Sequence, residues 1–115
     1  MDAITTIDQL FMRYDAIGQV VGQMLGAARD DNWDTVIDLQ ERYSALVDTL
    51  RPVDGSFPLE QSQSTRKQDM TRRILSDEAT IRELTASRLA RLSALLASSR
   101  HTRALHETYG MSPRG

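Results

Sequence analysis

The stretch from Met70 to Ser99 constrains the fold of this chain more than any other part of the sequence. It contains no Gly and no Pro, and it is rich in Leu, Ala, Arg and Glu, which lose little side-chain entropy in a helix. Its apolar residues recur at helical spacings, with one gap at Arg88, and form a stripe about two residues wide on an otherwise charged helix. The stripe consists of Ile74, Leu75, Ile81, Leu84, Leu89, Leu92, Leu95 and Leu96. One helix cannot bury such a stripe alone, so another element of this chain or of a second chain must cover it.

Two shorter helices precede this stretch. Thr5 or Thr6 can cap a first helix over residues 5–29, in which apolar residues follow alternating steps of three and four. The short polar connection RDDN leads to a second helix over residues 33–50, with Asp31 or Asn32 as its cap. So short a connection predicts that the two helices lie antiparallel. Gly18, Gly22 and Gly26 recur on the first helix, and we interpret them as a close approach of a neighbouring helix.

The segment RPVDGSFP, residues 51–58, cannot continue a helix because it holds two prolines and an Asp-Gly step. A third helix over residues 59–99 is therefore predicted. The apolar pattern is interrupted at residues 98–100, and HTRALHETYG follows, so we expect a separate fourth helix over residues 101–109. A helix of that length is marginal in water. We expect it to be ordered only when docked, with Leu105 and Tyr109 filling the end of a groove lined by Val47, Leu89, Leu92 and Leu96.

Together these elements predict an all-α fold, an antiparallel three-helix bundle of a hairpin plus one long helix with a short fourth helix, in a single domain over residues 1–115. The expected core lies on the inward stripes of the three main helices. It comprises Ile7, Leu10, Tyr14, Ile17, Val21, Trp33, Val36, Tyr43, Leu46, Ile74, Ile81, Leu84 and Leu92.

Composition and charge narrow the classes of function. The chain has no Cys, no apolar run long enough to span a membrane and no basic signal-peptide start, so we expect a cytoplasmic protein. Residues 1–60 hold eleven acidic and four basic residues, whereas residues 61–115 hold five acidic and ten basic residues. The later arginines are interleaved with acids and lack aromatic neighbours for stacking, which argues against nucleic-acid binding.

Catalysis and metal binding find little support in the sequence. Asp77 and Glu78 are adjacent on a helix and therefore point apart, and His101 and His106 are five residues apart rather than the four of a helical metal site. There is no Gly-rich phosphate loop and no serine elbow. We expect a non-enzymatic protein without a catalytic site, metal site or cofactor.

Three segments, residues 32–50, 74–96 and 98–110, resemble the FliT family of flagellar export chaperones. NWDTVIDLQERYSALVDTL is similar to the second helix of that family, and ILSDEATIRELTASRLARLSALL is similar to its third helix. SSRHTRALHETYG resembles the closing segment, although Thr108 stands where the family usually has Ala. The resemblance runs from Tyr14 to Gly110.

The resemblance implies a chaperone that holds the C-terminal helical region of the filament-cap protein FliD in an apolar groove and contacts the export ATPase apparatus. For some members of the family, the resemblance also implies that the chaperone represses the flagellar master transcription regulator by binding the regulator protein. The family's closing helix lies on or near the groove, and its matching tyrosine, here Tyr109, is implicated in holding the cap protein.

The residues alone are also compatible with two other classes of function. A structural or regulatory helical bundle could use its uncovered stripe to form a permanent homodimer. We expect the chaperone, too, to tend to self-associate through its third helix. A nucleic-acid-binding module could use the basic half of the chain.

Overall fold

The computed structural model describes residues 3–107 as an all-helical chain. Helices α1 (Ile7–Arg29), α2 (Trp33–Leu50) and α3 (Gln61–Leu105) are the only regular elements of that part of the chain. The chain divides into two units, the first ending at Arg82 and the second beginning at Glu83. The predicted bounds of α2 are confirmed, and those of α1 are confirmed to within two residues.

Local capping fixes the starts of the first two helices. The Thr6 side chain accepts a hydrogen bond from the Gln9 backbone N–H, and the Gln9 side chain accepts one from Thr6, each at 3.1 Å. This reciprocal pair satisfies amide groups that the first turn leaves without helical partners. Asn32 caps α2 by accepting from the Thr35 backbone N–H.

The first unit is a three-helix bundle. α1 and α2 pack against each other along the hairpin that the Asp30–Asn32 connection closes. Arg13, near the start of α1, donates a hydrogen bond to Thr49, near the end of α2, so the two helices run antiparallel as predicted. The early part of α3 runs in the same direction as α1. Arg66 lies over the Phe11 ring, and Ile74, eight residues after Arg66, approaches Gly18, seven residues after Phe11.

The loop between α2 and α3 is fastened to the bundle by Asp54. One carboxylate oxygen of Asp54 accepts a hydrogen bond from the Tyr14 hydroxyl and pairs with the Lys67 ammonium, each at 2.8 Å. Partial burial of Asp54 opposes ionisation, but the hydrogen bonds from Lys67 and Tyr14 prevail and hold the pKa of this carboxyl below its ordinary value. Gly55 follows at φ +86°, a conformation that side-chain-bearing residues adopt at a cost.

The core of the first unit lies mainly on α1. Leu10, Tyr14, Ile17, Val21, Ile74 and Ile81 are buried as predicted, while Ile7, Trp33, Val36, Tyr43, Leu46 and Leu84 are half-buried. The sequence-based core omitted several residues that are also buried on the same helices or just before α1. These are Ile4, Phe11, Val20, Met24, Leu25, Ala28, Leu39 and Leu50.

Three predictions are wrong. Leu92, assigned to the core, is 40% exposed. The interruption expected at residues 98–100 is absent, because α3 continues to Leu105 instead of ending near Ser99. Ser and Arg are tolerated inside helices, so a lapse in the apolar pattern does not end one when no Gly or Pro is present. The third error concerns the glycines: a Cβ at Gly22 or Gly26 would meet nothing within 4 Å, so no neighbouring helix approaches them.

Candidate functional site

The candidate site is an exposed apolar surface on the second unit, which we call the leucine surface: Leu89, Leu92, Leu95 and Leu96. These residues are 59%, 40%, 66% and 57% exposed. Spacings of three, four and seven place Leu89, Leu92 and Leu96 on one face of α3, and Leu95 lies beside Leu92. Every residue from Leu89 to Glu107 is exposed. The leucine surface is therefore not covered within the described chain.

An uncovered apolar cluster of this kind is unusual on a protein surface. Single exposed leucines are common, but four within eight residues form a contiguous patch, and contiguous apolar patches usually mark interaction sites. The surface offers no titratable group of its own, so it can bind apolar side chains but cannot by itself perform acid–base chemistry.

Leu105 does not join the leucine surface. It is 45% exposed and belongs to the same continuous helix as Leu96, nine residues earlier, which amounts to about two and a half turns and the opposite face. Within α3 it cannot fold back onto Leu92 in the way that a separate fourth helix would allow. Tyr109 lies outside the described residues. The predicted docking of this segment is therefore not seen over residues 101–107.

Val47, the remaining predicted site residue, belongs to the first unit. It is half-buried near the end of α2. Its predicted role in partner binding stays a prediction.

Sequence reasoning left Leu95 out of the predicted site, although it is the most exposed of the four leucines. Its position three residues after Leu92 was the available signal, because that spacing puts both on neighbouring rows of one helix. Leu95 also borders a shallow concavity of about 490 Å³ with Arg103 and His106. Three hydroxyl side chains, Ser98, Ser99 and Thr102, line the same concavity.

Besides a concavity of about 540 Å³ that Leu59 and Leu75 border together with polar and charged side chains, the first unit contains two concavities between its helices, both of mixed polarity. One, of about 300 Å³, lies between α1 and α3 and is bordered by Gly18, Gly22 and the charged side chains of Asp15, Arg73 and Asp77. The other, of about 230 Å³, lies beside Ile81 where all three helices contribute. There the Tyr43 hydroxyl donates a hydrogen bond to Glu78. Neither concavity presents an apolar lining comparable to the leucine surface.

The electrostatics of the Tyr43–Glu78 pair are those of a structural contact. Burial disfavours the phenolate, and the hydrogen bond to Glu78 and the charge of that carboxylate act in the same direction, which raises the pKa of Tyr43 to about 12. Asp77, one residue before Glu78, borders the concavity beside Gly18 instead. The two adjacent carboxylates thus point to different places, as their spacing predicted. Among residues 3–107 no three His, Asp or Glu side chains gather closely enough to hold a metal ion.

The comparisons with known proteins agree on one family. The sequence model of flagellar protein FliT matches residues 11–111. The chain belongs to the FliT family. This range contains all three segments on which the sequence resemblance rested.

Individual relatives extend the match over most of the chain. Flagellar protein FliT of Yersinia enterocolitica is 32% identical over 108 residues, covering 90% of this chain and 87% of the relative. The FliT protein of Photorhabdus laumondii is 27% identical over 104 residues, with 90% and 83% of the two chains covered. The crystal structure of FliT from Bordetella bronchiseptica superimposes with a TM-score of 0.70 at 36% identity, covering 75% of this chain and 97% of that one. The family therefore shares this helical fold.

No helix among residues 3–107 combines the length and the apolar character needed to cross a lipid bilayer.

Proposed function

We propose that this FliT-family chain is a flagellar export chaperone that acts in the cytoplasm. It binds the C-terminal helical region of the filament-cap protein through an apolar surface and delivers it to the export ATPase apparatus. The proposal assigns no catalytic step to the chain. Of the predicted contact residues, Leu89, Leu92 and Leu96 form the proposed surface, to which we add Leu95; the roles of Val47, Leu105 and Tyr109 stay predictions.

The observation that carries the proposal is the exposure of the leucine surface. Exposed leucines contribute little to folding, but each one that a partner covers contributes about 1.5 to 3 kcal/mol of favourable burial. A helical partner suits the geometry, because the apolar seam of an amphipathic helix can lie along leucines spaced three and four residues apart. Membership of a flagellar family makes a flagellar protein the natural candidate partner.

The test measures binding of the full chain to a peptide that spans the C-terminal helical region of the cap protein. Replacing both Leu92 and Leu95 by Ser should weaken binding by about tenfold or more, because two covered leucines are lost and each 1.4 kcal/mol is a factor of ten. The matched control is Leu75→Ser, which changes an equally exposed leucine, at 55%, in the first unit.

Melting temperatures of the same variants separate folding from binding. Leu92 and Leu95 are exposed, so the double variant should melt within a few degrees of the unaltered chain. A chain that does not bind the peptide at micromolar concentration, or a double variant that binds it as tightly as the Leu75→Ser control, would contradict the chaperone proposal.

The alternative is a structural or regulatory homo-oligomer that covers its own leucine surface permanently. Light scattering separates the two. The chaperone should show a mass that falls on dilution or changes when the peptide is added, whereas a permanent oligomer would keep one mass in both conditions.

A further inference from the structure

The segment around the leucine surface is strongly cationic. Between Leu84 and His106 the sequence holds four arginines and two histidines and no acidic residue. Arg100 and Arg103 are exposed and form no ion pair with any residue from 3 to 107. Carboxylates of the described residues therefore do not neutralise either of these two arginines. The two guanidinium groups are instead available to a partner.

The cations lie on the same side of α3 as the leucines. Arg103 follows Leu92 by eleven residues, which is about three turns, so the two share a face about 16 Å apart along the helix. Leu95, Arg103 and His106 border one shallow concavity, as described above. A helix that lies on the leucine surface and extends toward the end of α3 must therefore pass the guanidinium of Arg103.

We propose that the occupant of the leucine surface is an acidic amphipathic helix, whose apolar seam covers the leucines and whose Asp or Glu residues pair with Arg100 and Arg103, about one and two turns beyond Leu96. This inference rests on the proposed function and defines the chemistry of its partner. Carboxylates opposite Arg100 and Arg103 make a modest favourable contribution to the binding free energy, whereas a basic helix would be repelled. The two arginines therefore supply a specificity that the leucines alone cannot supply.

Two other occupants fit the observations less well. A nucleic acid would find arginines but no platform of large aromatic rings for stacking, because residues 58–108 include no Phe, Tyr or Trp. A second copy of this chain could offer the outer face of α2, where Asp34, Asp38 and Glu41 flank the 60% exposed Ile37. That face carries a single large apolar side chain, which is too little to cover four leucines.

The experiment uses two synthetic helical peptides with the same leucine seam. One carries Glu about one and two turns beyond the seam, and the other carries Lys at those positions. Affinity for the full chain is measured by fluorescence anisotropy at low salt and at about 0.3 M salt. The Glu peptide should bind about tenfold more tightly than the Lys peptide at low salt, and the difference should shrink at the higher salt concentration because the pairs are exposed.

Charge variants of the chain locate the effect. Combined Arg100→Glu and Arg103→Glu should reverse the preference between the peptides, and combined Arg100→Gln and Arg103→Gln should abolish it. The control is combined Arg72→Glu and Arg73→Glu, which makes the same change in total charge at two exposed arginines of the same helix in the first unit and should leave the preference intact. Equal affinity for both peptides, or a control that reverses the preference as well, would overturn the inference.

Failure of this inference and failure of the proposed function give different results. If the cap-protein peptide binds through Leu92 and Leu95 while the Glu and Lys peptides bind equally, only the acidic partner is wrong. If the Glu peptide is preferred while the cap-protein peptide does not bind, only the chaperone assignment is wrong. If a single-stranded oligonucleotide displaces the Glu peptide, the occupant is a nucleic acid and not an acidic helix. If the unaltered chain has the mass of a dimer and the combined Arg100→Glu and Arg103→Glu variant does not, the occupant is a second copy of the chain.

Discussion

At the residue scale, the hydroxyl of Tyr43 links α2 to α3 through Glu78. Folding raises the pKa of Tyr43 from 10.0 to about 12, so the folded chain holds this proton more tightly than the unfolded chain does. The associated stability is fully present below the unfolded pKa and is lost as the pH rises through the folded pKa. The window therefore lies between pH 10 and about pH 12.

We expect Tyr43→Phe to flatten this alkaline loss of stability, because the variant has no proton to release at that position. The measurement compares melting temperatures at about pH 8 and about pH 11 for both proteins. Tyr14 is present in both and contributes equally to each profile. The melting temperature of the unaltered chain should fall more between these two pH values than that of the variant. An equal fall for both proteins would contradict the role of this hydrogen bond.

The glycines of the chain give a second prediction at the same scale. A Cβ at Gly22 meets no atom within 4 Å, so Gly22→Ala should stabilise the chain by about 0.5 to 1 kcal/mol through helix propensity. Gly55→Ala is the matched substitution in the loop, where φ is +86°, and it should destabilise the chain by about 1 kcal/mol. Urea denaturation of both variants measures the two effects. A loss of stability at Gly22 would mean that the helix is packed more closely there than the structure indicates.

At the scale of the helical element, α3 presents the same kinds of residue in two environments. Ile81 is buried in the first unit, whereas Leu92 is exposed in the second. Ile81→Ala should cost about 2 to 4 kcal/mol, because it removes buried methyl groups and leaves a cavity. Leu92→Ala should cost less than about 0.5 kcal/mol for an exposed site. Chemical denaturation of both variants provides the measurement, and equal costs would show that Leu92 is covered in solution.

The helices were largely predictable from the sequence. The apolar spacing, and the two prolines and Asp-Gly step of residues 51–58, are local signals. The extent of α3 was not, because the lapse at residues 98–100 resembles a helix end in pattern but lacks a residue that ends helices. The exposure of Leu92 was not predictable either. Periodicity identifies which face of a helix is apolar, but only the number of residues available on neighbouring elements decides how much of that face is covered.

At the scale of the whole molecule, the uncovered leucines predict self-association. A contiguous apolar patch can be buried against the leucine surface of a second copy at high concentration, and this contact is weaker than one with an acidic helix because it supplies no carboxylates to Arg100 and Arg103. We expect the mean mass measured by light scattering to rise with concentration, and the combined Leu92→Ser and Leu95→Ser variant to remain monomeric under the same conditions. The Leu75→Ser control should behave like the unaltered chain. A mass that stays monomeric at millimolar concentration would contradict this expectation.

The exposure of every residue from Leu89 to Glu107 also determines where a protease can cut the chain. Helical backbone is cleaved only when it opens locally, and a helix that no neighbour packs against opens at little cost in free energy. Arg91, Arg100 and Arg103 therefore present trypsin with three sites on accessible backbone, whereas the helix that carries Arg66 packs in the first unit, where the guanidinium lies over the Phe11 ring. A brief digestion should remove the end of α3 first and leave a stable fragment that contains both earlier helices. A bound partner would delay the cut, so the appearance of that fragment over time gives a direct assay of occupancy.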